Sequence, residues 1–256
     1  MKKIKSKKGS KVIVSPFDQD DSNQDKNDSE SQIQKMNYPA SIIINNGKYK
    51  IHCLTIVGEI EGHNYSSENV KTTKYEYVIP QLVAIEQEPS IDGLLVLINT
   101  IGGDIEAGLA LAEIISGMKK PTVSLVIGGG HSIGVPLAVA AKKSFIAKSA
   151  SMIIHPVRMN GINLGVPQTF RYFQRIQNRI TSFISENSNI KPNKLVQLMS
   201  NTEEFSTDIG STLDGSQAVK EGIIDSLGNI SDAITCLHNM VDKTYKKKSK
   251  RKTSKK

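Results

Sequence analysis

Residues 93–136 read GLLVLINTIGGDIEAGLALAEIISGMKKPTVSLVIGGGHSIGVP, and the order of apolar runs, helical spacing and glycines in this stretch decides the fold. Residues 94–98 form an unbroken apolar run after Gly93, which predicts a strand buried on both faces. A turn over residues 99–104 leads into a helical pattern with Leu109, Ala112, Ile115 and Met118 on one side, ended by Lys119-Lys120-Pro121. Residues 122–127 predict a second buried strand. Gly128-Gly129-Gly130 reads as a turn, and a helix is expected from about 132 to 141. Strands and helices alternating at this spacing predict parallel strands with right-handed βαβ crossovers, an α/β fold.

Working outward, residues 53–57 predict a strand ended by Gly58, and residues 79–87 a helix stopped near Pro89. Two short strands are expected near 144–147 and 152–154. A longer helix is predicted over 168–186. Phe170, Phe173, Ile176, Ile180, Phe183 and Ile184 recur on it at helical spacing, and Arg171, Gln174, Arg175, Gln177 and Asn178 fill the other face. Such a helix either packs on the core or makes an interface. Residues 121–141 contain no Asp, Glu, Lys or Arg and are long enough to span a bilayer. They also hold the triple glycine, His131, Ser124, Ser132 and Pro136, whose polar groups lipid cannot satisfy. A buried strand, turn and helix is the better reading.

The formal net charge of +8 is not spread over the chain. Residues 1–11 carry six Lys, and residues 243–256 carry eight Lys and Arg251, with no acid in either stretch. Residues 12–242 hold 18 basic and 25 acidic residues, so the body is mildly acidic, which disfavours a DNA-binding domain with a basic folded face. Residues 15–36 are polar and acidic and cannot offset their ordering entropy. The expected division is a disordered tail over 1–36, a folded domain over 37–242 and a Lys-rich disordered tail over 243–256. Cys53 and Cys236 match no metal or redox spacing, which excludes a structural zinc site and predicts reduced thiols in the cytoplasm. The apolar run Val12-Ile13-Val14 is too short for an export signal. No cofactor is expected.

Turns at the carboxyl ends of parallel strands are where α/β sites are built. Gly102-Gly103 and Gly128-Gly129-Gly130 stand at such ends, and neither matches a P-loop or a dinucleotide fingerprint. Ser132, in Gly130-His131-Ser132-Ile133-Gly134, sits where a nucleophile elbow is expected, although the spacing is not Gly-x-Ser-x-Gly. A serine there is either a helix N-cap or a nucleophile whose following N–H, that of Ile133, faces a developing oxyanion. A nucleophilic serine needs a base. His155 ends the apolar strand Met152-Ile153-Ile154 on the same sheet edge, and is either a strand-edge histidine or that base. His131 adjoins Ser132 and points elsewhere, while His52, His63 and His238 lie among no polar cluster.

At this point several segments together resemble one family. Ile98-Asn99-Thr100-Ile101-Gly102-Gly103 with Ala107-Gly108 is similar to the Asn-Ser-Pro-Gly-Gly…Ala-Gly segment of ClpP-type serine peptidases. Ser132-Ile133-Gly134 resembles their nucleophile segment, Met152–Pro156 their histidine segment, and Ala218-Val219…Gly222-Ile223-Ile224-Asp225 their late helix and turn. Gly128–Gly134 with Pro136, and His155-Pro156-Val157-Arg158, look closest to a translocation-enhancing subgroup. The resemblance implies a ClpP/crotonase-like fold assembled as stacked homo-oligomeric rings. It implies Ser132 as nucleophile, His155 as general base and the N–H groups of Gly102 and Ile133 as oxyanion hole. The orienting acid is Asp208, with Glu204 and Asp214 as alternatives. The implied substrate is peptide or unfolded protein, with an AAA+ ATPase as a possible partner, and the tails as contacts for polyanions or an anionic membrane surface. Thr100-Ile101 replaces the family's Ser-Pro, and the tails have no counterpart. Other uses of the fold are a non-proteolytic ring scaffold or adaptor, a thioester-binding crotonase-type enzyme, and a serine–lysine peptidase using Lys142 or Lys143.

Overall fold

The computed structural model describes residues 11–14, 41–67, 69–158, 166–202 and 209–253. In chain order the strands are β1 (Lys11–Val14), β2 (Ser41–Asn45), β3 (Lys50–Glu61), β4 (Thr72–Lys74), β5 (Gly93–Gly103), β6 (Thr122–Gly130), β7 (Lys143–Ile146), β8 (Ser151–Ile154), β9 (Ser211–Asp214) and β10 (Ser226–Leu227). The helices are α1 (Tyr75–Gln87), α2 (Ile105–Gly117), α3 (Gly134–Val139), α4 (Val166–Glu186), α5 (Pro192–Met199), α6 (Gly215–Lys220) and α7 (Ile230–Thr253).

The main sheet runs β1-β2-β3-β5-β6-β7-β10. From β3 to β10 every pairing is parallel, while β1 and β2 add an antiparallel edge. Alternation inside the apolar runs builds the layers. Leu94, Val96 and Ile98 of β5 join a cluster under α1–α5, and Leu95 and Leu97 join a second cluster under Ala233, Leu237 and Val241 of α7. Both faces are covered, so the run shows no polar interruption. Each fully buried Leu or Ile contributes about 1.5–3 kcal/mol. A smaller sheet branches off where Gly129 of β6 pairs with Ser151 of β8, which then pairs antiparallel with β9. Its far end carries His155.

The α/β class and the parallel strands are as expected. Several boundaries are not. Residues 99–103 are not a turn, because β5 continues to Gly103 alongside β3. Gly103 has φ +146, and a Cβ there would lie 2.3 Å from the Ile60 carbonyl oxygen, so glycine serves close strand approach rather than chain reversal. Gly128–Gly130 likewise belong to β6, held by the Asn99 side chain, whose Oδ1 accepts from Gly129 N–H at 2.8 Å. The following helix is shorter than expected, Gly134–Val139. Two elements fall within the stretches expected as tails. Lys11–Val14, with its β-branched run, pairs with β2, and α7 passes residue 242 and runs to Thr253, as a Lys-rich stretch with good helix propensity can. Residues 15–36 lie outside the described residues.

The uncharged run 121–141 divides into β6, a turn and α3, and among the described residues no helix is long and apolar enough to cross a membrane.

Candidate active site

The site is built at the carboxyl end of β6. After Gly130 the chain turns through His131-Ser132-Ile133 into α3, and neighbouring strands clamp the turn. His131 N–H donates to the Thr100 carbonyl of β5 at 3.1 Å, and Ser132 N–H donates to the Ile153 carbonyl of β8 at 2.8 Å. Gly134 N–H and Val135 N–H close back on the carbonyls of His131 and Ser132, at 2.8 and 3.0 Å. Ser132 is forced to φ +55, the one positive φ at a non-glycine residue among those described. Such a conformation costs about 1–3 kcal/mol and persists only where the surroundings impose it. Ser132 therefore stands on a tight, strained strand-to-helix turn, and its glycines do not stand at the Gly-x-Ser-x-Gly spacing.

Close packing makes room for it. A Cβ on Gly102 would lie 2.7 Å from Ser132 Cβ and 3.2 Å from its Oγ, so β5 presses bare backbone against the serine. Among the described residues the Ile133 N–H donates to no acceptor. The Gly102 N–H, by contrast, donates to Thr100 Oγ1 at 3.0 Å.

His155 follows β8 and is half-buried. Its Nδ1 lies 2.7 Å from the Pro156 carbonyl oxygen. A carbonyl can only accept, so Nδ1 is the donor, and in the neutral ring Nε2 then has the lone pair that a general base needs. Ser132 and His155 line one cleft of about 180 Å³, with Ile105, Val135, Ile180 and Met199 among its apolar walls. No hydrogen bond joins the two side chains.

The remaining candidates fall in different places. Asp208 and Glu204 lie outside the described residues. Asp214 is exposed and caps α6, accepting from Gln217 N–H at 2.8 Å in a reciprocal capping box. His131 Nδ1 accepts from Ile153 N–H at 3.1 Å, and burial lowers its pKa, so it is held neutral as part of the clamp. His52 is buried in β3, His63 meets Tyr75 and His238 stacks on Tyr49. Lys143 pairs with Val123 at the start of β6, about 23 Å by strand rise from the Gly130 end of the strand, beyond which the elbow lies. Lys142 Nζ bonds the carbonyls of Lys119 and Lys120 there, at 2.6 and 2.7 Å. Neither lysine is placed to serve Ser132. Sequence reading missed the Thr100 hydroxyl and the Pro156 carbonyl; only a Thr two residues before a Gly hinted at the first.

Fold and site together define an α/β protein with a serine elbow and a histidine sharing an apolar cleft on the carboxyl edge of a parallel sheet. The family model for Clp protease matches residues 52–231, and the chain belongs to that family. It is similar to the translocation-enhancing protein TepA of Halalkalibacterium halodurans, 53% identical over 193 residues, which cover 75% of each chain. It is also similar to the ATP-dependent Clp protease proteolytic subunit 2 of Treponema pallidum, 26% identical over 156 residues, 59% of this chain and 74% of that one. The proteolytic subunit of Streptococcus sanguinis is 27% identical over 118 residues, 43% of this chain and 60% of its own.

Proposed function

We propose that this protein is a serine peptidase that cleaves peptides or unfolded polypeptide through an acyl-enzyme on Ser132. The observation that carries the reading is the strained elbow: a serine held at φ +55 beside a cleft that also receives His155. Ser132 Oγ attacks the scissile carbonyl while His155 Nε2 takes its proton. The carbonyl electrons move onto oxygen, which the N–H groups of Gly102 and Ile133 receive. The imidazolium then protonates the leaving amine, and water, deprotonated by the same nitrogen, releases the acyl group. Asp208 is the proposed orienting acid. For it to act, His155 Nδ1–H must exchange the neutral Pro156 carbonyl for a carboxylate, which stabilises the imidazolium better. The apolar cleft suits an apolar substrate side chain. Exposed Phe170 and Tyr172 on α4 support assembly into stacked rings, and a cytoplasmic location belongs to the same reading. An AAA+ ATPase as partner, and polyanions or an anionic membrane surface as contacts for the Lys-rich ends, complete the reading.

The test is labelling by a fluorophosphonate probe. The folded wild-type assembly is expected to be labelled and Ser132→Ala not; an unlabelled wild type refutes the peptidase reading. A second reading, a non-proteolytic ring scaffold or adaptor, has its own support. Ser132 and His155 are not hydrogen-bonded, and one proposed oxyanion donor is occupied. The name of the relative from Halalkalibacterium halodurans speaks of translocation rather than proteolysis. Cellular function that survives Ser132→Ala favours it.

A further inference from the structure

The two Lys-rich ends of the chain, distant in sequence, meet at one edge of the fold. β1 enters the sheet at Lys11, whose partner Asn45 in turn pairs with Lys50, the first residue of β3. Lys11 and Lys50 thus lie two strand spacings apart, about 10 Å, on the amino edge of the parallel strands. By chain continuity residues 1–10 join the sheet there. α7 starts at the other edge, where Gly228 N–H donates to the Ile146 carbonyl at 3.0 Å, and runs back across the sheet. Its arrival at the amino edge is fixed by side chains. His238 stacks on Tyr49 at 4.0 Å, and Asp242 accepts from the Tyr49 hydroxyl at 3.0 Å. The Tyr245 hydroxyl donates to Asp92, which also accepts Lys50 N–H at 2.8 Å, so one carboxylate joins the start of β3 to the helix. Residues 246–253 then carry α7 about 12 Å further. Residues 1–11 and 243–256 together hold 15 positive charges and no acid. The body's own charges at this edge nearly cancel, with Lys48 against Asp242, Lys143 against Asp225 and Lys120 against Glu88, so the ends set its sign.

We propose that this composite basic edge docks the protein on an anionic lipid surface, with the Ser132 edge turned away. The inference rests on the part of the reading above that gives the Lys-rich ends an anionic contact, and is independent of the peptidase step. The geometry favours a plane over a polymer. β5, whose 11 residues span about 33 Å, separates the basic edge from the edge that carries Ser132. Residues 12–242 hold 18 basic and 25 acidic residues. A nucleic acid bending round the ends would meet this acidic body, and Tyr245 is the one exposed aromatic ring at the described part of the edge on which a base could stack. A lipid surface touches the edge alone, takes up charges from both ends at once, and orients the molecule by its charge asymmetry. Each lysine close to such a surface contributes about fivefold in affinity, equivalent to about 1 kcal/mol. Both ends are fixed to one frame, so their contributions multiply instead of substituting for each other. The surface potential falls off over a Debye length of about 8 Å, so docking leaves the field at Ser132 unchanged.

The experiment is co-sedimentation of the full chain with phosphatidylcholine vesicles, with and without phosphatidylglycerol, at low and high salt. Wild type is expected to bind the anionic vesicles alone and to leave them at high salt. One variant carries Lys3→Gln, Lys5→Gln and Lys7→Gln, and a second carries Lys247→Gln, Lys248→Gln and Lys250→Gln. Each is expected to lower the partition coefficient about a hundredfold, from about fivefold per lysine, with melting temperature and fluorophosphonate labelling unchanged. On anionic vesicles the amides of residues 46–50 and 91–93 are expected to gain protection from hydrogen exchange, and those of 128–132 are not. A triple variant that binds like wild type overturns the proposal, because the ends then form no common surface, while the lipid contact of the other end stands. Protection gained at 128–132, or tighter binding of duplex DNA than of anionic vesicles at equal salt, overturns the assignment to a membrane. A wild type that binds no vesicle overturns the proposal and the lipid contact of the ends together, and probe labelling of the same sample reports separately on the peptidase reading.

Discussion

Replacing Ser132 by glycine should stabilise the protein while removing the proposed nucleophile. At φ +55 a residue with a Cβ bears about 1–2 kcal/mol of backbone strain that glycine does not. Glycine gives back about 0.5–1 kcal/mol through the greater freedom of its unfolded chain. Ser132→Ala is the right reference, because it loses the same hydroxyl and keeps the strained Cβ. Relative to it, Ser132→Gly should gain about 0.5–1 kcal/mol, or roughly 1–4 °C in melting temperature for a chain of this size. The assay is a pair of thermal melts by circular dichroism at matched protein concentration and scan rate, with probe labelling confirming that both variants are inactive. If the glycine variant melts at or below the alanine variant, the elbow is not strained and the observation carrying the proposed function loses its force.

Two further predictions concern residues away from the nucleophile. His52 is buried with both ring nitrogens unpartnered, and desolvation lowers its pKa to about 4. The unfolded chain protonates near pH 6.5, so this contribution to stability is complete above that pH and is lost as pH falls towards 4, about 2 kcal/mol of it by pH 5. Urea unfolding at pH 7 and pH 5 should show a smaller loss in His52→Leu than in wild type; equal losses refute the burial argument. Asp214→Ala should lower stability by about 1 kcal/mol through loss of the α6 cap, yet leave probe labelling unchanged. Labelling that falls with it would make Asp214 the orienting acid instead.

Much of this is legible in the sequence. The run 94–98 is apolar at every position because its odd and even residues face different helical layers, and a two-sided environment leaves that mark on the sequence. Ser132 and His155 stood out because each follows an apolar run, and parallel strands bring their carboxyl ends to one edge. Glycine was the weak signal. Gly102, Gly103 and Gly128–Gly130 read as turns, but they continue strands whose backbones come too close for a Cβ. A glycine's identity says that something is near, and not whether it is its own chain reversing or a neighbour approaching.

The sequence by itself determined the α/β class, the sheet edge on which the candidate site is built, and the serine and histidine proposed as nucleophile and base. Those follow from local periodicity and from strand polarity, which a linear pattern contains. Only the tertiary structure decided that Ser132 is strained, that Asp214 is a cap, that His155 donates to Pro156, and that the Thr100 hydroxyl holds Gly102 N–H. Each of these is a choice among hydrogen-bond partners or backbone angles within a few ångströms. Such choices depend on directions in space that residue order does not specify.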